Sequence, residues 1–252
     1  EQVLLRGGPA DERSLASSVL SLLVPDVPVF AWIFGRPESQ TQLAAEIVTV
    51  ADRVIVDSAD GEDPPAMLQA VMHLQDVYGV GVIDLAWRRT AVWRSIIAAC
   101  FDGEDGVREL ANIESVEIIS GDPAPSTGAL LLAGWLASRL RLTIADAEFS
   151  AGGLEATLYM GSRGVRILTK RDGGAMPVRG VVIRTRAAAM EARFDDASGH
   201  ISVSETWDGR EFAEMVEPPP SDDASLVSGA LDDPAVDIFS DALRSALRLL
   251  GT

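Results

Sequence analysis

Only one cysteine, one lysine and two histidines occur among the 252 residues of this chain. The single cysteine, Cys100, excludes an internal disulfide and suits a reducing compartment, and the two histidines lie in no metal-ligand pattern. No apolar run approaches the roughly 20 residues of a membrane-spanning helix, and the first residues lack the pattern of a secretory signal. We therefore expect a cytoplasmic protein that has no membrane segment and folds without metal or disulfide.

Basic residues are scarce as well, and the formal net charge is −17. Such a charge repels phosphate backbones, so we expect no nucleic-acid partner. The basic residues are concentrated between Arg139 and Arg193, where ten of them stand against five acidic residues. This segment could present a basic face to an acidic partner or a phosphate ligand, but the interpretation we favour is a solvated sheet face.

Residues 1–140 alternate strand-like apolar runs with helical patterns, as expected for a mostly parallel sheet covered by helices. The predicted strands are residues 3–6, 27–33, 53–57 and 115–120, and the predicted helices are residues 11–23, 39–52, 64–77, 90–101 and 126–140. These elements predict an α/β N-terminal lobe.

After Arg141 the hydrophobic period changes to two, which indicates strands. Six short strands separated by turn clusters are predicted at residues 142–149, 154–160, 165–170, 178–184, 188–194 and 200–206. They would form an antiparallel meander, followed by a proline-rich break at 218–223 and a terminal helix at 233–250. Residues 141–252 are therefore predicted to be an α+β lobe with an antiparallel sheet and a C-terminal helix.

The most distinctive segment is DLAWRRTAVWR, residues 84–94, which holds two tryptophans and three arginines in eleven residues. Trp and Arg are enriched at binding hot spots, because a wide ring and a planar cation bury much area for few frozen rotamers. No catalytic nucleophile, base or metal ligand accompanies them. The segment therefore indicates a contact surface.

The second half of this segment has the periodicity of a helix capped by Thr90. The spacing of its apolar residues predicts a buried face formed by Trp93, Ile96, Ile97 and Cys100. A thiol on such a face behaves as a small hydrophobe with a raised pKa, so we expect Cys100 to be unreactive.

Two interpretations of the first half stay open. Trp87, together with Arg88 and Arg89, could lie exposed in the loop before this helix, where an aromatic ring flanked by guanidinium groups could dock on a partner. Alternatively, Asp84 pairs with Arg89 and Trp87 plugs the bottom of the sheet.

Two further segments accompany the motif: LLVPDVPVFAWIF at residues 22–34 and LLAGWLASRL at residues 131–140. In this order and spacing, the three segments resemble the glucose-6-phosphate dehydrogenase assembly proteins, the OpcA family. The likeness is firmest over residues 22–140, and after Arg141 only the order of strands and helices matches. Family members usually carry a further strand and helix before this point, so we expect the chain to be truncated at its start.

The resemblance implies a non-catalytic protein that binds glucose-6-phosphate dehydrogenase and promotes its active oligomer, which raises flux into the oxidative pentose phosphate pathway. The partner-binding residues on this interpretation are Trp87, Arg88, Arg89, Trp93 and Arg94.

The chain departs from the family pattern at several positions. The family motif usually reads closer to DLAWTRLTPWR, so that Arg88, Thr90, Ala91 and Val92 replace Thr, Leu, Thr and Pro. The replacement at position 92 removes a fixed helix start. Photosynthetic members are associated with a redox-responsive cysteine pair, and the presence of Cys100 alone means that intramolecular thiol switching is not implied.

The competing prediction is an α/β enzyme or sensor that holds a phosphorylated sugar. It would use the carboxyl edge of the sheet near Asp57 and Asp60, at the end of the strand at 53–57, together with the basic segment from Arg163 to Arg186. However, the chain has neither a G-x-x-x-x-G-K-[ST] loop nor a strand-linked G-x-G-x-x-G. We therefore predict no catalytic, cofactor-binding or metal-binding residues.

Overall fold

A computed structural model describes residues 3–7, 11–35, 42–121, 125–207, 209–220, 222–231 and 236–252. The chain divides into two compact units, residues 1–85 and 86–252. This division comes before the boundary predicted near Arg141, because the strand at Ile113–Ser120 pairs with strands of the second unit. Arg141 instead marks the change from a helix to hairpin strands within that unit.

The first unit contains a parallel three-stranded sheet with the strand order β1-β2-β3. Its elements are α1 (Glu12–Leu22), β1 (Phe30–Trp32), α2 (Gln42–Val48), β2 (Arg53–Val56), α3 (Pro64–Tyr78) and β3 (Gly81–Asp84). Helix α3 has clear boundary signals, because the Asp63 carboxylate accepts a hydrogen bond from the backbone N–H of Ala66 and Gly79 ends the helix with a left-handed φ of 62°.

The first strands differ from the prediction. The strand predicted as buried at 27–33 is reduced to β1, whose Phe30 and Trp32 are 37% and 36% exposed because β1 lies at the edge of the sheet. The residues predicted as a strand at 3–6 have no regular secondary structure. The predicted start of the second helix, at 39–41, lies outside the described residues.

The second unit contains an eight-stranded sheet with the order β11-β10-β9-β8-β4-β7-β6-β5. Its strands are β4 (Ile113–Ser120), β5 (Thr143–Ser150), β6 (Gly153–Met160), β7 (Arg163–Arg171), β8 (Val178–Thr185), β9 (Ala188–Asp195), β10 (His200–Trp207) and β11 (Arg210–Val216). The helices from residue 85 onward are α4 (Leu85–Arg89), α5 (Ala91–Cys100), α6 (Glu104–Leu110), α7 (Thr127–Arg139), α8 (Asp223–Leu231) and α9 (Val236–Leu249).

Strand β4 interrupts the predicted meander. It lies between β7 and β8, parallel to the first and antiparallel to the second, so these two consecutive strands do not pair with each other. Its central position agrees with the complete burial of Val116 and Ile118. The predicted fold class is confirmed: an α/β lobe with a parallel sheet is followed by a mostly antiparallel sheet and a C-terminal helix.

Helices α7 and α9 pack closely against each other. A Cβ atom at Gly134 of α7 would lie 2.3 Å from the carbonyl oxygen of Ala242 in α9, so glycine permits this contact. Phe239, Leu243 and Leu247 lie on the buried stripe of α9. The predicted start of this helix, at 233–235, lies outside the described residues.

Candidate partner-binding site

The predicted contact segment folds as two short helices joined at Thr90. The hydroxyl of Thr90 donates a hydrogen bond to the carbonyl oxygen of Trp87 at 2.7 Å, which closes the turn between α4 and α5. Thr90 occupies the N-cap position of α5, but its side chain makes no capping hydrogen bond. The predicted role of Thr90 as a helix cap is therefore not observed. Its hydroxyl instead fixes the angle between helices α4 and α5.

Trp87 is part of helix α4 and only 6% exposed. Its ring packs against Phe239 of α9 with the centroids 5.8 Å apart. The expectation of an exposed Trp87 in a loop is therefore wrong. The alternative, that Trp87 plugs the bottom of the sheet, is right that the ring is buried, although the ring packs on helix α9. The pair between Asp84 and Arg89 that it assumed stays a prediction.

The guanidinium group of Arg94 covers the Trp87 ring, with its central carbon 3.5 Å from the ring centroid. Its Nε donates to the Thr90 hydroxyl at 3.2 Å, and Nη2 donates to the Trp87 carbonyl at 3.5 Å. A desolvated cation over an indole contributes about 2 kcal/mol. Arg94 therefore holds the two helices of the segment together.

The buried face of α5 is confirmed as Trp93, Ile96, Ile97 and Cys100. Trp93 is 1% exposed, so both tryptophans of the motif belong to the interior. Hydrophobic periodicity was sufficient to place this face, because all four residues lie within one helix.

Arg88 and Arg89 are half-buried, and both reach toward helix α8. Nη2 of Arg89 lies 3.1 Å from Oδ1 of Asp223, at the first turn of α8. Nη2 of Arg88 lies close to Gly229 of α8: a Cβ atom added to Gly229 would lie 3.1 Å from this nitrogen. The sequence did not indicate Asp223 or Phe239 as partners of the motif, because both lie more than one hundred residues away along the chain.

Two carboxylates follow neighbouring parallel strands in the first unit. The Asp84 carboxylate is fully buried and accepts hydrogen bonds from the hydroxyl of Ser58 at 2.6 Å and from its backbone N–H at 3.1 Å. The Asp57 carboxylate accepts from the backbone N–H of Ala59 at 3.1 Å, as in an ordinary Asx turn. Across the described ranges, no three His, Cys, Asp or Glu side chains are grouped so that they could hold a metal ion.

Cys100 donates a hydrogen bond to Oε1 of Glu205 at 3.0 Å, and the indole N–H of Trp207 donates to the other carboxylate oxygen at 2.6 Å. Burial, and then this hydrogen bond, raise the pKa of the Cys100 thiol. These surroundings support the prediction that the Cys100 thiol is unreactive.

The basic residues that the sugar-phosphate alternative requires do not converge. The guanidinium group of Arg179 is buried against the Asp196 carboxylate, and Arg163 donates to the carbonyl of Ala111 at 2.7 Å. Arg166 and Arg184 lie exposed on two different strands. A depression of about 390 Å³ between β5, β6 and β7 has Lys170 as its cationic side chain, beside the carboxylates of Glu148 and Glu155.

Every described helix is too short or too polar to cross a membrane. At the level of fold, the chain is similar to a dehydrogenase from Clostridium difficile, with a TM-score of 0.58, 12% identity and coverage of 95% of this chain and 80% of the dehydrogenase. It is also similar to a 3-ketoreductase from Actinomadura kijaniata crystallised with NADP, with a TM-score of 0.57, 10% identity and coverage of 98% and 81%. Such low identities indicate a shared fold alone.

Relatives with closer sequences carry the name OxPP cycle protein OpcA. The protein from Nostoc punctiforme is 31% identical over 62% of this chain and 33% of its own length. The protein from Synechococcus elongatus is 32% identical over 56% of this chain and 31% of its own length. The chain thus spans about a third of the length of these relatives.

Two family descriptions match the chain in succession. Residues 1–73 match the N-terminal domain of the glucose-6-phosphate dehydrogenase subunit, and residues 80–243 match the C-terminal domain of the same subunit. The second match begins shortly before the DLAWRRTAVWR segment, close to the division between the two compact units. The chain belongs to the OpcA family, whose two domains are described as those of a glucose-6-phosphate dehydrogenase subunit.

Proposed function

We propose that this chain is a non-catalytic subunit that binds glucose-6-phosphate dehydrogenase and favours the active oligomer of that enzyme in the oxidative pentose phosphate pathway. The observation that carries this proposal is the match of both domains of the dehydrogenase-subunit family to successive parts of the chain. The names of the cyanobacterial relatives support the same pathway.

The physical mechanism is mass action. A subunit that binds the active oligomer more tightly than the inactive forms raises its population by the ratio of those affinities. About 1.4 kcal/mol of preference is sufficient for a tenfold shift. By the same linkage, the active oligomer binds the subunit more tightly than the inactive forms do.

Arg88 and Arg89 are the proposed contact residues of the motif. Both keep part of their side chains exposed, and the Arg89 side chain is 18% exposed beside a solvent-exposed Asp223. A planar guanidinium group can form paired hydrogen bonds with a carboxylate, so the proposed partner surface is acidic. Trp87, Trp93 and Arg94 support these contacts from within by fixing helices α4 and α5.

The experiment is a titration of purified glucose-6-phosphate dehydrogenase with this chain. Enzyme activity and the mass of the assembly, measured by analytical ultracentrifugation, are expected to rise together and to saturate at one stoichiometry. Activity that stays constant, with no complex detected at saturating concentrations, contradicts the proposal. Calorimetric titration of the chain alone with glucose 6-phosphate tests the alternative of a sugar-phosphate sensor, for which heat of binding is the positive result.

A further inference from the structure

The eight-stranded sheet has one face that forms the core and one face that is open except near its centre, where Ile119, Gly180 and Val182 are also buried. Buried residues such as Ile167 and Val181 point to the side on which the sheet forms the core. Alternate residues on β6, β7, β9 and β10 are exposed or half-buried. We call the side that carries these alternate residues the open face.

Strand register arranges the central part of the open face into rows that run across the strands. One row consists of Thr157, Arg166, Ser115, Arg184 and Ala189, taken from β6, β7, β4, β8 and β9. The next row consists of Glu155, Leu168, Glu117, Val182 and Glu191 from the same strands. The first row is therefore cationic, and the second alternates carboxylates with aliphatic side chains.

Arg166 and Arg184 occupy strands on either side of β4, where both are opposite Ser115. Both are exposed, and within the described part of the chain neither forms a hydrogen bond or ion pair. Neighbouring strands are about 4.8 Å apart, so the two Cα atoms are separated by roughly 10 Å. The same separation joins Glu155 to Glu117 and Glu117 to Glu191 in the next row.

We propose that the open face binds a second copy of this chain. A two-fold axis that runs across the strands between the two rows places the cationic row of each copy over the carboxylate row of the other. Arg166 then lies over Leu168 of the second copy, between two carboxylates. Arg184 lies over the position of Val182 of the second copy, which is itself only 2% exposed, so that it faces the two flanking carboxylates of Glu117 and Glu191.

The charge and size of the face fit this occupant. Side chains on its five central strands comprise the cations Arg166, Lys170, Arg184 and Arg193 and the anions Glu117, Glu155, Glu191 and Asp195. This balanced charge contrasts with the net charge of −17 for the whole chain, so charge repulsion between two copies is weak at this surface. Together with β10, which adds Ser202, Ser204 and Thr206 to this face, these strands span roughly 750 Å², which is close to the area of about 800 Å² that a stable interface buries on each partner. The outer strands β5 and β11 carry the carboxylates of Asp146, Glu148 and Glu211 on the same face and lie outside the proposed contact.

The test is the mass of the isolated chain by sedimentation equilibrium at micromolar concentrations, in the absence of dehydrogenase. The wild-type chain is expected at twice its monomer mass of 26.8 kDa. The variant Arg166→Glu/Arg184→Glu is expected to be a monomer, with self-association weakened at least about tenfold. The variant Glu155→Arg/Glu191→Arg is expected to be a monomer for the same reason.

Mixing the two variants is expected to restore part of the dimer, because the reversed charges at positions 166 and 184 of one copy then face the reversed charges at positions 155 and 191 of the other, while Glu117 is unchanged. The control variant Arg141→Glu/Arg248→Glu makes the same change of charge at two exposed arginines outside the face and is expected to stay dimeric. If a charge reversal lowers the unfolding temperature, Arg166→Gln/Arg184→Gln provides the neutral version of the test.

A monomeric wild-type chain would overturn the proposal. So would an arginine variant that is folded and still dimeric, or a mixture of folded variants that stays monomeric. If the wild-type chain is a monomer and the arginine variant binds the dehydrogenase more weakly than the wild type does, the face binds that enzyme and the proposed dimer is wrong. Because the mass is measured on the chain alone, failure here is separate from failure of the proposed function.

Discussion

Arg94 stacks on Trp87 with its guanidinium carbon 3.5 Å from the ring centroid, and Trp87 in turn packs on Phe239. The aromatic and cationic residues that mark the motif in the sequence therefore largely contact one another and the C-terminal helices. Their composition is that of a hot spot, but two of the three layers of the stack lie inside the fold. The exposed parts of Arg88 and Arg89 are the surface of the motif that we propose for partner binding.

Replacement of Trp87 by alanine is expected to lower the free energy of unfolding by about 3–5 kcal/mol, because a buried indole is lost together with its cation-π contact. Urea denaturation followed by fluorescence measures this change. The matched control is Phe34→Ala, which removes an aromatic ring that is 73% exposed and should change stability by less than about 1 kcal/mol. Equal effects of the two substitutions would show that Trp87 does not support the fold.

Gly134→Ala is expected to destabilise the chain although alanine is the better helix former. The new Cβ would lie 2.3 Å from a backbone oxygen of α9, so the two helices must separate at a cost of about 1–3 kcal/mol. Gly128→Ala in the same helix is the control, because its Cβ meets neighbours at 3.5 Å and ordinary contact distance. The midpoint temperature of thermal unfolding should be lower for Gly134→Ala than for the wild type, and equal or higher for Gly128→Ala. The reverse order of midpoints would contradict the packing argument.

The thiol of Cys100 is expected to react with iodoacetamide at least about tenfold more slowly in the native chain than in the unfolded chain, because burial and the Glu205 carboxylate raise its pKa. Glu205→Gln removes the carboxylate that accepts its hydrogen bond and should speed labelling, while burial still keeps the rate below that of the unfolded chain. Mass spectrometry of the alkylated protein measures these rates. Equal rates in native and unfolded protein would refute the buried thiol.

The same thiol makes stability depend on alkaline pH. Its pKa in the folded chain is raised above the unfolded value, so its contribution is fully present below about pH 8.5 and is lost as the pH rises toward the folded pKa. The unfolding free energy of the wild-type chain should therefore fall more steeply above that pH than the unfolding free energy of Cys100→Ala. Parallel pH profiles would contradict this expectation.

The Asp196 carboxylate makes the opposite contribution. Its hydrogen bond from Arg179 holds its pKa below the ordinary value, so the stability that it provides is present above the unfolded pKa and is lost as the pH falls through the folded pKa. Asp196→Asn should be less stable than wild type at neutral pH and approach it in acid. A difference that stays constant from neutral to acid pH would exclude this ion pair as the cause.

The sequence was sufficient where the determinants are local. The face of α5 follows from the spacing of Trp93, Ile96 and Ile97, and the helix predicted at residues 64–77 agrees with α3 to within one residue. The position of β4 between β7 and β8 could not be predicted. Many strands of this chain have similar apolar patterns, so the patterns do not identify which strands pair.

The burial of the DLAWRRTAVWR motif could not be predicted from the sequence either. Trp87 is covered by Phe239, and Arg89 is paired with Asp223, but nothing near either residue in the sequence marks these distant partners. A Trp and Arg cluster has the same composition whether its partner is another protein or a helix of the same chain.

The most direct test of the account compares the affinity of glucose-6-phosphate dehydrogenase for the wild-type chain, Arg89→Ala and Asp223→Ala. Both substitutions remove the same ion pair, which contributes at most about 1 kcal/mol of stability at this exposed position. Only Arg89→Ala removes the cation proposed to contact the enzyme. The account predicts that the wild-type chain and Asp223→Ala bind with similar affinity and that Arg89→Ala binds at least about tenfold more weakly. Equal weakening by both substitutions, or no binding by the wild-type chain, would contradict it.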